Sequence, residues 1–392
     1  MAPFKQSKPV RSFREMAVLF LLLVFSVALS QFIFASMANG QSQRRNQQGS
    51  GTTNGTANQS TGSALQTQDS AQGSATRTAG AQIGSTQPDQ GQQATDEKSK
   101  FDSEAAFGYL KDVCLMGPRY SASKGMAEQQ KYLQEHFTKI GGKILHQQFQ
   151  ARSPFNGKNV NLYNFIVQYH PERTKRLLIC CHYDTRPFAD SDPRSPRARF
   201  IGANDGGSGV ALLCELGKHM ESLDGDYGVD FIFFDGEEFV VERARDQMFL
   251  GSTFFSQQYA AGNIPWKYEY GILVDMVGDK DLQIYLEGNS IGYADGLTRS
   301  VWTVANQLGV KEFIPEQRHK IRDDHLPLNA IAKIQTCDII DFDFPNPRAG
   351  NVYWHTKKDV IENCSAESLG KVGSVVLEWI RQVQELNKTK DK

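Results

Sequence analysis

Cysteine is scarce in this 392-residue sequence, and so is any excess of charge of one sign. The six cysteines include no CxxC pair, which excludes a dense disulfide scaffold. We interpret them as small buried hydrophobic residues, although an oxidising compartment would allow one or two disulfides. The 43 basic and 44 acidic side chains nearly cancel, so the chain lacks the basic excess that is typical of nucleic-acid binding.

Residues 41–100 lack almost everything that builds a core. They contain no aromatic residue and only nine hydrophobic ones, seven of them alanine, against thirteen glutamines. Such a composition cannot bury enough apolar surface to offset the entropy of ordering. We therefore predict a disordered Gln/Ser/Thr/Gly-rich linker over 39–100. Although the length allows two domains, we predict a single globular domain over 101–392.

A basic N-terminus followed by an apolar stretch is typical of an export segment. The apolar stretch, Ala17 to Ala35, has nineteen residues, which is long for a cleaved signal peptide and just enough to span a bilayer. Four basic residues precede it: Lys5, Lys8, Arg11 and Arg14. Residues 1–38 are therefore either a signal peptide or a signal anchor. Both alternatives place the globular domain outside the cytoplasm, either periplasmic or secreted, or held at the membrane.

Short, continuous apolar runs alternate with helical patterns in the globular domain. The runs at 176–183, 229–234 and 270–277 fit central strands that are buried on both faces. A helical pattern over 207–222 separates the first two, and an amphipathic helix over 366–386 closes the domain. This alternation predicts an α/β fold, a three-layer α/β/α sandwich with a central mixed, mostly parallel sheet.

Polar residues that can bind metal follow these apolar runs, at the strand ends where open α/β sheets bind their ligands. Each motif alone has a plainer explanation, such as a helix cap, a solvated glutamate pair or a core histidine. Together they predict side chains that converge at one edge of the sheet. The motifs are His182-Tyr-Asp184, a glycine-rich turn around Asp205, Asp235-Gly-Glu237-Glu238, Asp275, Asp323-Asp324-His325 and Tyr353-Trp354-His355.

Carboxylates and imidazoles without thiolates favour a catalytic zinc ion with an open coordination position. Without a cation, several unpaired buried carboxylates would be costly. Of the adjacent pair, Glu238 is the candidate ligand, while Glu237 stays free as a general acid/base beside the metal. Asp184 lies two residues after His182, so on a strand it would share the same face and orient the imidazole. The residues alone therefore predict zinc-dependent acyl chemistry.

Six segments, in this order, resemble the zinc aminopeptidase superfamily and, more closely, its glutaminyl-peptide cyclotransferase (glutaminyl cyclase) branch of the bacterial type. They are HYD, GANDGGSGVALL, FFDGEE, LVDMVG, DDHLPL and YWHTKKD. The resemblance covers about residues 103–385, which is nearly the whole predicted domain. It implies a zinc enzyme that acts on the N-terminal residue of peptides or proteins.

The resemblance also implies two overlapping sets of metal ligands. In aminopeptidases with two zinc ions, the residues matching His182, Asp205 and Asp275 hold one ion. Those matching Asp205, Glu238 and His355 hold the other. The cyclases keep only the second set, with one zinc ion. Because this chain contains both sets, the ligands alone do not choose between the two activities.

Further residues receive roles from the cyclase resemblance. The residues matching Glu237, Asp275 and Asp323 are catalytic in cyclases, and the tryptophan matching Trp354 lines the substrate pocket. Trp354 directly before His355, the acidic residue Asp323, and the long segment 239–250 after Glu238 favour a cyclase over an aminopeptidase.

We therefore expect conversion of the N-terminal glutamine of peptides or proteins to pyroglutamate with release of ammonia. In this reading zinc acts as a Lewis acid and Glu237 as the proton shuttle. The alternative enzyme is a two-metal zinc aminopeptidase. A tethered binding ectodomain is the non-enzymatic alternative, but it predicts the loss of ligands or of the base, and these are present. No nucleic-acid partner is expected, and the sequence leaves the oligomeric state open.

Overall fold

The computed structural model describes residues 100–345 and 352–388. The predicted export segment 1–38, and all but the last residue of the predicted linker 39–100, lie outside the described residues. Among the helices that are described, none is long and apolar enough to cross a membrane. All six cysteines lie in the described ranges, and none of them is in a disulfide.

A six-stranded mixed sheet forms the middle layer of the fold, in the order β1-β2-β4-β3-β5-β8. Strands β3, β4, β5 and β8 run parallel, whereas β2 pairs antiparallel with both β1 and β4. Strands β6 and β7 form a separate parallel pair. The strands are β1 Lys143–Arg152, β2 Asn159–Tyr169, β3 Lys175–His182, β4 Gly228–Phe234, β5 Lys267–Asp275, β6 Ile284–Leu286, β7 Phe313–Gln317 and β8 Thr336–Ile340.

Helices connect these strands and cover both faces of the sheet. Side-chain caps fix several helix starts: Asp102 accepts a hydrogen bond from the amide of Ala105, and Ser123 from that of Met126. The helices are α1 Ser103–Leu115, α2 Lys124–Lys139, α3 Gly207–Gly217, α4 Leu250–Ala260, α5 Gly288–Gln307, the single turn α6 His325–Pro327 with the π-helix Leu328–Ala332, the 3₁₀ turn Ile361–Asn363, and α7 Ala366–Lys388.

Of the four apolar clusters in the described residues, the sheet separates the two largest. Successive residues of β3 belong to opposite clusters, because successive side chains of a strand point to opposite faces. Leu177 and Ile179 pack in the larger cluster with residues of α1, α2, α3, α5 and α7. Leu178 packs in the smaller one with Phe255 of α4 and Leu328 of the π-helix. The predicted α/β class and mostly parallel mixed sheet are confirmed.

The glycine-rich turn before α3 brings Asp205 against the end of β3. Gly206 has a φ of +81°, and a Cβ there would lie 2.7 Å from the carbonyl oxygen of Asp184. The buried guanidinium of Arg119 supports the same turn by donating to the carbonyls of Ile201 and Gly202 at 2.9 and 2.8 Å. A side chain at position 206 would therefore push Asp205 away from the strand ends.

Candidate active site

The predicted site residues meet at the carboxyl edge of the parallel strands. His182 is the last residue of β3, Asp275 is the last residue of β5, and Glu237 and Glu238 follow the end of β4. His355 comes from the segment before α7, and all of these side chains are buried. The fold therefore brings together residues that are up to 173 positions apart, from His182 to His355.

Asp205, Glu238 and His355 form the first group of possible metal ligands, called the His355 set below. Nε2 of His355 lies 2.6 Å from Oε1 of Glu238 and 3.2 Å from Oδ2 of Asp205. Within the described residues, neither Nε2 of His355 nor Oδ2 of Asp205 has a hydrogen-bond partner, although both atoms are buried. Burial lowers the pKa of His355, but the nearby carboxylates, first that of Glu238, raise it to about 10, so the imidazole is ion-paired where a zinc ion would bind. One imidazole and two carboxylates fit zinc with an open position.

His182, Asp205 and Asp275 form the second group, called the His182 set below. Nε2 of His182 lies 3.1 Å from Oδ1 of Asp275 and 3.2 Å from Oδ1 of Asp205. Its Nδ1 faces the carbonyl oxygen of Asp184 at 3.1 Å. Burial by itself would lower the pKa of His182, but the carboxylates of Asp275 and Asp205 raise this pKa well above its usual range. This set therefore satisfies its own imidazole by ion pairing.

Asp184 holds the main chain of the two adjacent glutamates. Its Oδ1 accepts the amide N–H of Glu237 and its Oδ2 that of Glu238, each at 3.1 Å. The contact with His182 is made by the carbonyl of Asp184, since the nearer carboxylate oxygen is 3.9 Å from Nδ1. Asp184 lies beyond the end of β3, so the face-sharing argument of the sequence does not apply to it. The carboxylate is used instead to fix the loop after β4.

Three carboxylates lie together beside the ligand sets: Glu237, Asp275 and Asp323. Burial, and then the charge of Glu238, raise the pKa of Glu237 well above its usual range, and Asp323 adds to the shift. Burial, and then the charge of Asp275, raise the pKa of Asp323 in the same way. Oδ1 of Asp323 accepts the amide of Asp324 at 2.6 Å, whereas its buried Oδ2 has no partner in the described ranges. Buried carboxyl groups with raised pKa values that act on one another titrate as a coupled set and can share protons.

Trp354 lies against His355 at the mouth of the site. Their ring centroids are 3.9 Å apart and the rings are nearly parallel. The guanidinium carbon of Arg243 lies 5.0 Å from the centroid of the Trp354 ring. Trp354 is half-buried, so part of the indole remains available to a ligand. Trp354 therefore lies next to the His355 set, and its role as a pocket wall stays a prediction.

Three residues that the sequence did not single out also shape the site. The carboxylate of Asp359 accepts the amides of Asn204 and Asp205 at 2.7 and 3.1 Å and thereby fixes the turn that carries a ligand. Asp190 lies 3.4 Å from Nδ1 of His355 and also pairs with Arg243, whose Nη2 is 2.6 Å from the same Nδ1. Only the fold brings these partners together; the one available signal for Asp359 was its place at the end of the YWHTKKD segment.

Comparison with known proteins gives both cyclases and aminopeptidases. The solved glutaminyl cyclase of Fimbriiglobus ruber is 34% identical, with a TM-score of 0.67 over 72% of this chain and 95% of that one. A solved leucine aminopeptidase precursor of Bacteroides thetaiotaomicron is 32% identical, with a TM-score of 0.66 over 72% of this chain and 97% of that one. The glutaminyl-peptide cyclotransferase of Gloydius blomhoffii is 23% identical over 297 residues, which cover 67% of this chain and 77% of that protein.

The family comparison covers more than half of the chain. The model of peptidase family M28 matches residues 164–380, a range that includes both ligand sets, the three carboxylates and Trp354. Zinc-dependent exopeptidases are among the solved structures that this chain resembles, which supports zinc as the metal. The chain therefore belongs to peptidase family M28.

Proposed function

We propose that the protein is a glutaminyl-peptide cyclotransferase. It would convert the N-terminal glutamine of a peptide or protein to pyroglutamate and release ammonia. The observation that carries this proposal is the buried group of Glu237, Asp275 and Asp323, in which Asp323 keeps an unpaired oxygen. Cyclisation requires a proton to move from one nitrogen of the substrate to another, and a set of carboxyl groups with raised pKa values suits that transfer. The similarity to solved bacterial glutaminyl cyclases supports it.

Asp205, Glu238 and His355 would hold one zinc ion. This assignment is supported by ligand atoms that lie within 4.8 Å of one another, and by Nε2 of His355 and Oδ2 of Asp205, which are buried without hydrogen-bond geometry to any described atom. Bound there, zinc supplies Lewis-acid polarisation of the side-chain carbonyl of the substrate glutamine. Asp184 and Asp359 hold the main chain on either side of this set, which keeps Glu238 and Asp205 in place.

The substrate brings its own nucleophile, the α-amino group, so the protein has to position it and move protons. Glu237 accepts a proton from the α-amine and passes it to the amide nitrogen that leaves as ammonia. Asp275 and Asp323 share this proton with Glu237, so the three carboxyl groups titrate together. Burial, and then the charge of Glu238, raise the pKa of Glu237, which makes its carboxylate a stronger proton acceptor.

Trp354 would form an apolar wall for the glutamine side chain. The segments 185–201 and 239–250 lie over this part of the site, since Ser191 donates to the carbonyl of His355 and Arg243 approaches its ring. We assign to them the exclusion of water, because water attack on the polarised carbonyl would give glutamate instead of pyroglutamate.

Metal counting combined with a substrate comparison tests this function. The purified protein is assayed for ammonia release from glutaminyl peptides and for amino-acid release from aminoacyl substrates, and its zinc content is measured. One zinc ion per chain with ammonia release is expected. Two zinc ions with release of a free amino acid would identify a two-metal aminopeptidase instead.

We also propose that the protein acts outside the cytoplasm on exported peptides or proteins. The basic residues before the apolar stretch Ala17 to Ala35 carry this part of the proposal. Fractionation of cells that express the full chain tests it, because the activity should appear in the extracytoplasmic or membrane fraction. Activity confined to the cytosol would contradict the proposal.

A further inference from the structure

Four segments that flank the site carry an excess of basic side chains, although the site residues that border them are acidic and the chain as a whole is nearly neutral. Four segments adjoin site residues in the sequence: 185–201, 239–250, 318–322 and 352–358. Together they contain eleven lysines and arginines against four aspartates and glutamates, whereas the whole chain has a net charge of −1. The rest of the chain is therefore acidic, and the excess of basic side chains lies in the segments that flank the site residues.

Arg243 places one of these charges directly at the pocket wall. Its side chain is 47% exposed and lies over the ring of Trp354. Nε donates to Oδ2 of Asp190 at 3.1 Å, and Nη2 lies 3.3 Å from Oγ of Ser191. Asp190 also pairs with Arg186 at 2.5 Å, so one carboxylate serves two guanidinium groups. Arg186 also lies 3.9 Å from Glu238, so Arg243, which shares Asp190 and is 47% exposed, is the guanidinium of this group that can meet a ligand.

Arg322 places a second charge at the other end of segment 239–250. It is exposed, and its guanidinium carbon lies 5.9 Å from the centroid of the Phe249 ring. The amide of Phe249 donates to the carbonyl of Glu237 at 3.2 Å, so this ring is joined to the loop that carries the proposed base. In the described part of the chain, no carboxylate lies within 4.0 Å of the Arg322 guanidinium. Stacking on a ring limits the freedom of the side chain and leaves its charge available.

The path of a peptide substrate leads past these charges. With the N-terminal glutamine in the pocket, the chain has to leave through the mouth, and each residue extends it by about 3.3 Å. The second and third residues of the peptide then lie roughly 3 and 7 Å beyond the glutamine along the extended chain. We infer that Arg243 and Arg322 select peptides in which an aspartate or glutamate follows the N-terminal glutamine. This inference rests on the proposed function and adds the class of substrate.

Two peptides that differ in one charge test this inference. Their sequences are Gln-Glu-Phe-Gly-amide and Gln-Gln-Phe-Gly-amide, and kcat/KM for ammonia release is measured at low and high salt. The Glu peptide should be preferred at low salt by about two- to five-fold for each favourable pair, mainly through KM. Added salt should reduce the preference. Equal kcat/KM values at low salt would overturn the inference.

Variants that remove one positive charge show which arginine causes the preference for the Glu peptide. Arg322→Gln should lower the ratio of the two kcat/KM values by roughly two- to five-fold. The matched control is Arg299→Gln on α5, which removes an exposed arginine paired with Asp295 and should leave the ratio unchanged. Arg243→Gln should also lower the ratio, but Arg243 contacts His355, so Arg322→Gln remains decisive if that variant is inactive. A ratio that Arg322→Gln leaves unchanged would overturn the role of Arg322.

A failure of the proposed function can be distinguished from a failure of this inference. Ammonia release from neither peptide would contradict the cyclase proposal itself. Calorimetric titration of the zinc-loaded protein with the same two peptides would then decide the inference separately. Tighter binding of the Glu peptide that Arg322→Gln weakens would support it, and equal affinities would overturn it.

Discussion

The His355 set and the His182 set share Asp205, but the imidazoles of their histidines differ in contact geometry. Nε2 of His182 lies 3.1 Å from a carboxylate oxygen of Asp275 in hydrogen-bond geometry, whereas Nε2 of His355 lies 2.6 Å from Glu238 and 3.2 Å from Asp205 without that geometry. In both sets the ligand atoms lie within 4.8 Å of one another, and neighbouring carboxylates raise the pKa of both imidazoles, that of His355 to about 10. Ligand identity alone therefore does not determine a metal site, because the same residue types can neutralise each other.

The largest effect is expected from two separate variants, each of which removes the histidine of one set. His355→Ala should lose its zinc and fall below detectable activity, because only two carboxylates remain to hold the ion. His182→Ala should keep one zinc ion per chain, since its imidazole is not needed for that site. Metal analysis of both variants after gel filtration, with circular dichroism as a folding control, checks this. Zinc loss in His182→Ala alone would reverse the assignment.

Removal of the proposed base tests the chemistry beside the His355 set. Glu237→Gln should lower kcat by roughly 10²- to 10⁴-fold while the zinc content stays unchanged. The matched control is Glu242→Gln, an exposed glutamate on segment 239–250, which should retain full kcat. Ammonia release and metal content are measured on the same samples. Normal turnover in a zinc-loaded Glu237→Gln protein would rule out the proposed proton shuttle.

A substitution of Asp323 tests whether the carboxyl groups share the proton or whether Glu237 acts as a single base. Asp323→Asn should lower kcat by roughly 10- to 100-fold, which is less than the loss in Glu237→Gln, because Glu237 can still accept the proton while the sharing is lost. The pH–rate profile for kcat should also change in shape. An unchanged rate and profile would favour the aminopeptidase alternative, in which this carboxylate has no step.

The smallest effect concerns the pH dependence of stability in the metal-free protein. Carboxylates raise the pKa of folded His182 above its ordinary value of 6.5, so this group stabilises the fold below about pH 6.5. That contribution is lost as the pH rises through the raised pKa of the folded state. The melting temperature of the metal-free wild type should therefore fall with pH more steeply than that of His182→Gln. Equal slopes would show that the His182 set is not ion-paired.

Much of the fold and of the site followed from local patterns in the sequence. Apolar runs located β3, β4 and β5, and the rule that strand ends meet at one edge brought His182 and Asp275 together. The short β8 and helices α4 and α5 were not predicted, although the fold class did not depend on them. Their positions are set by packing across the sheet, which single-segment patterns do not record.

The contacts that hold the site residues in place could not be predicted from the sequence, for a related reason. Asp359 reaches the amide of Asn204 across 155 positions, and no spacing rule connects residues that far apart. Asp184 was expected to orient His182 through its carboxylate, but the strand ends at His182 and the carboxylate turns to the loop after β4. Residue types indicated the chemistry, whereas the three-dimensional structure was needed to show which atoms carry it.

The bonds from Asp184 have a consequence for the evolution of this scaffold. The carboxylate of Asp184 accepts hydrogen bonds from the main-chain amides at positions 237 and 238. These bonds do not depend on which side chains those positions carry. A descendant that exchanged Glu237 for another residue would lose its chemistry and keep the shape of the loop. Such a lineage can pass through inactive intermediates without losing the fold. It can later acquire a different reaction at the same loop.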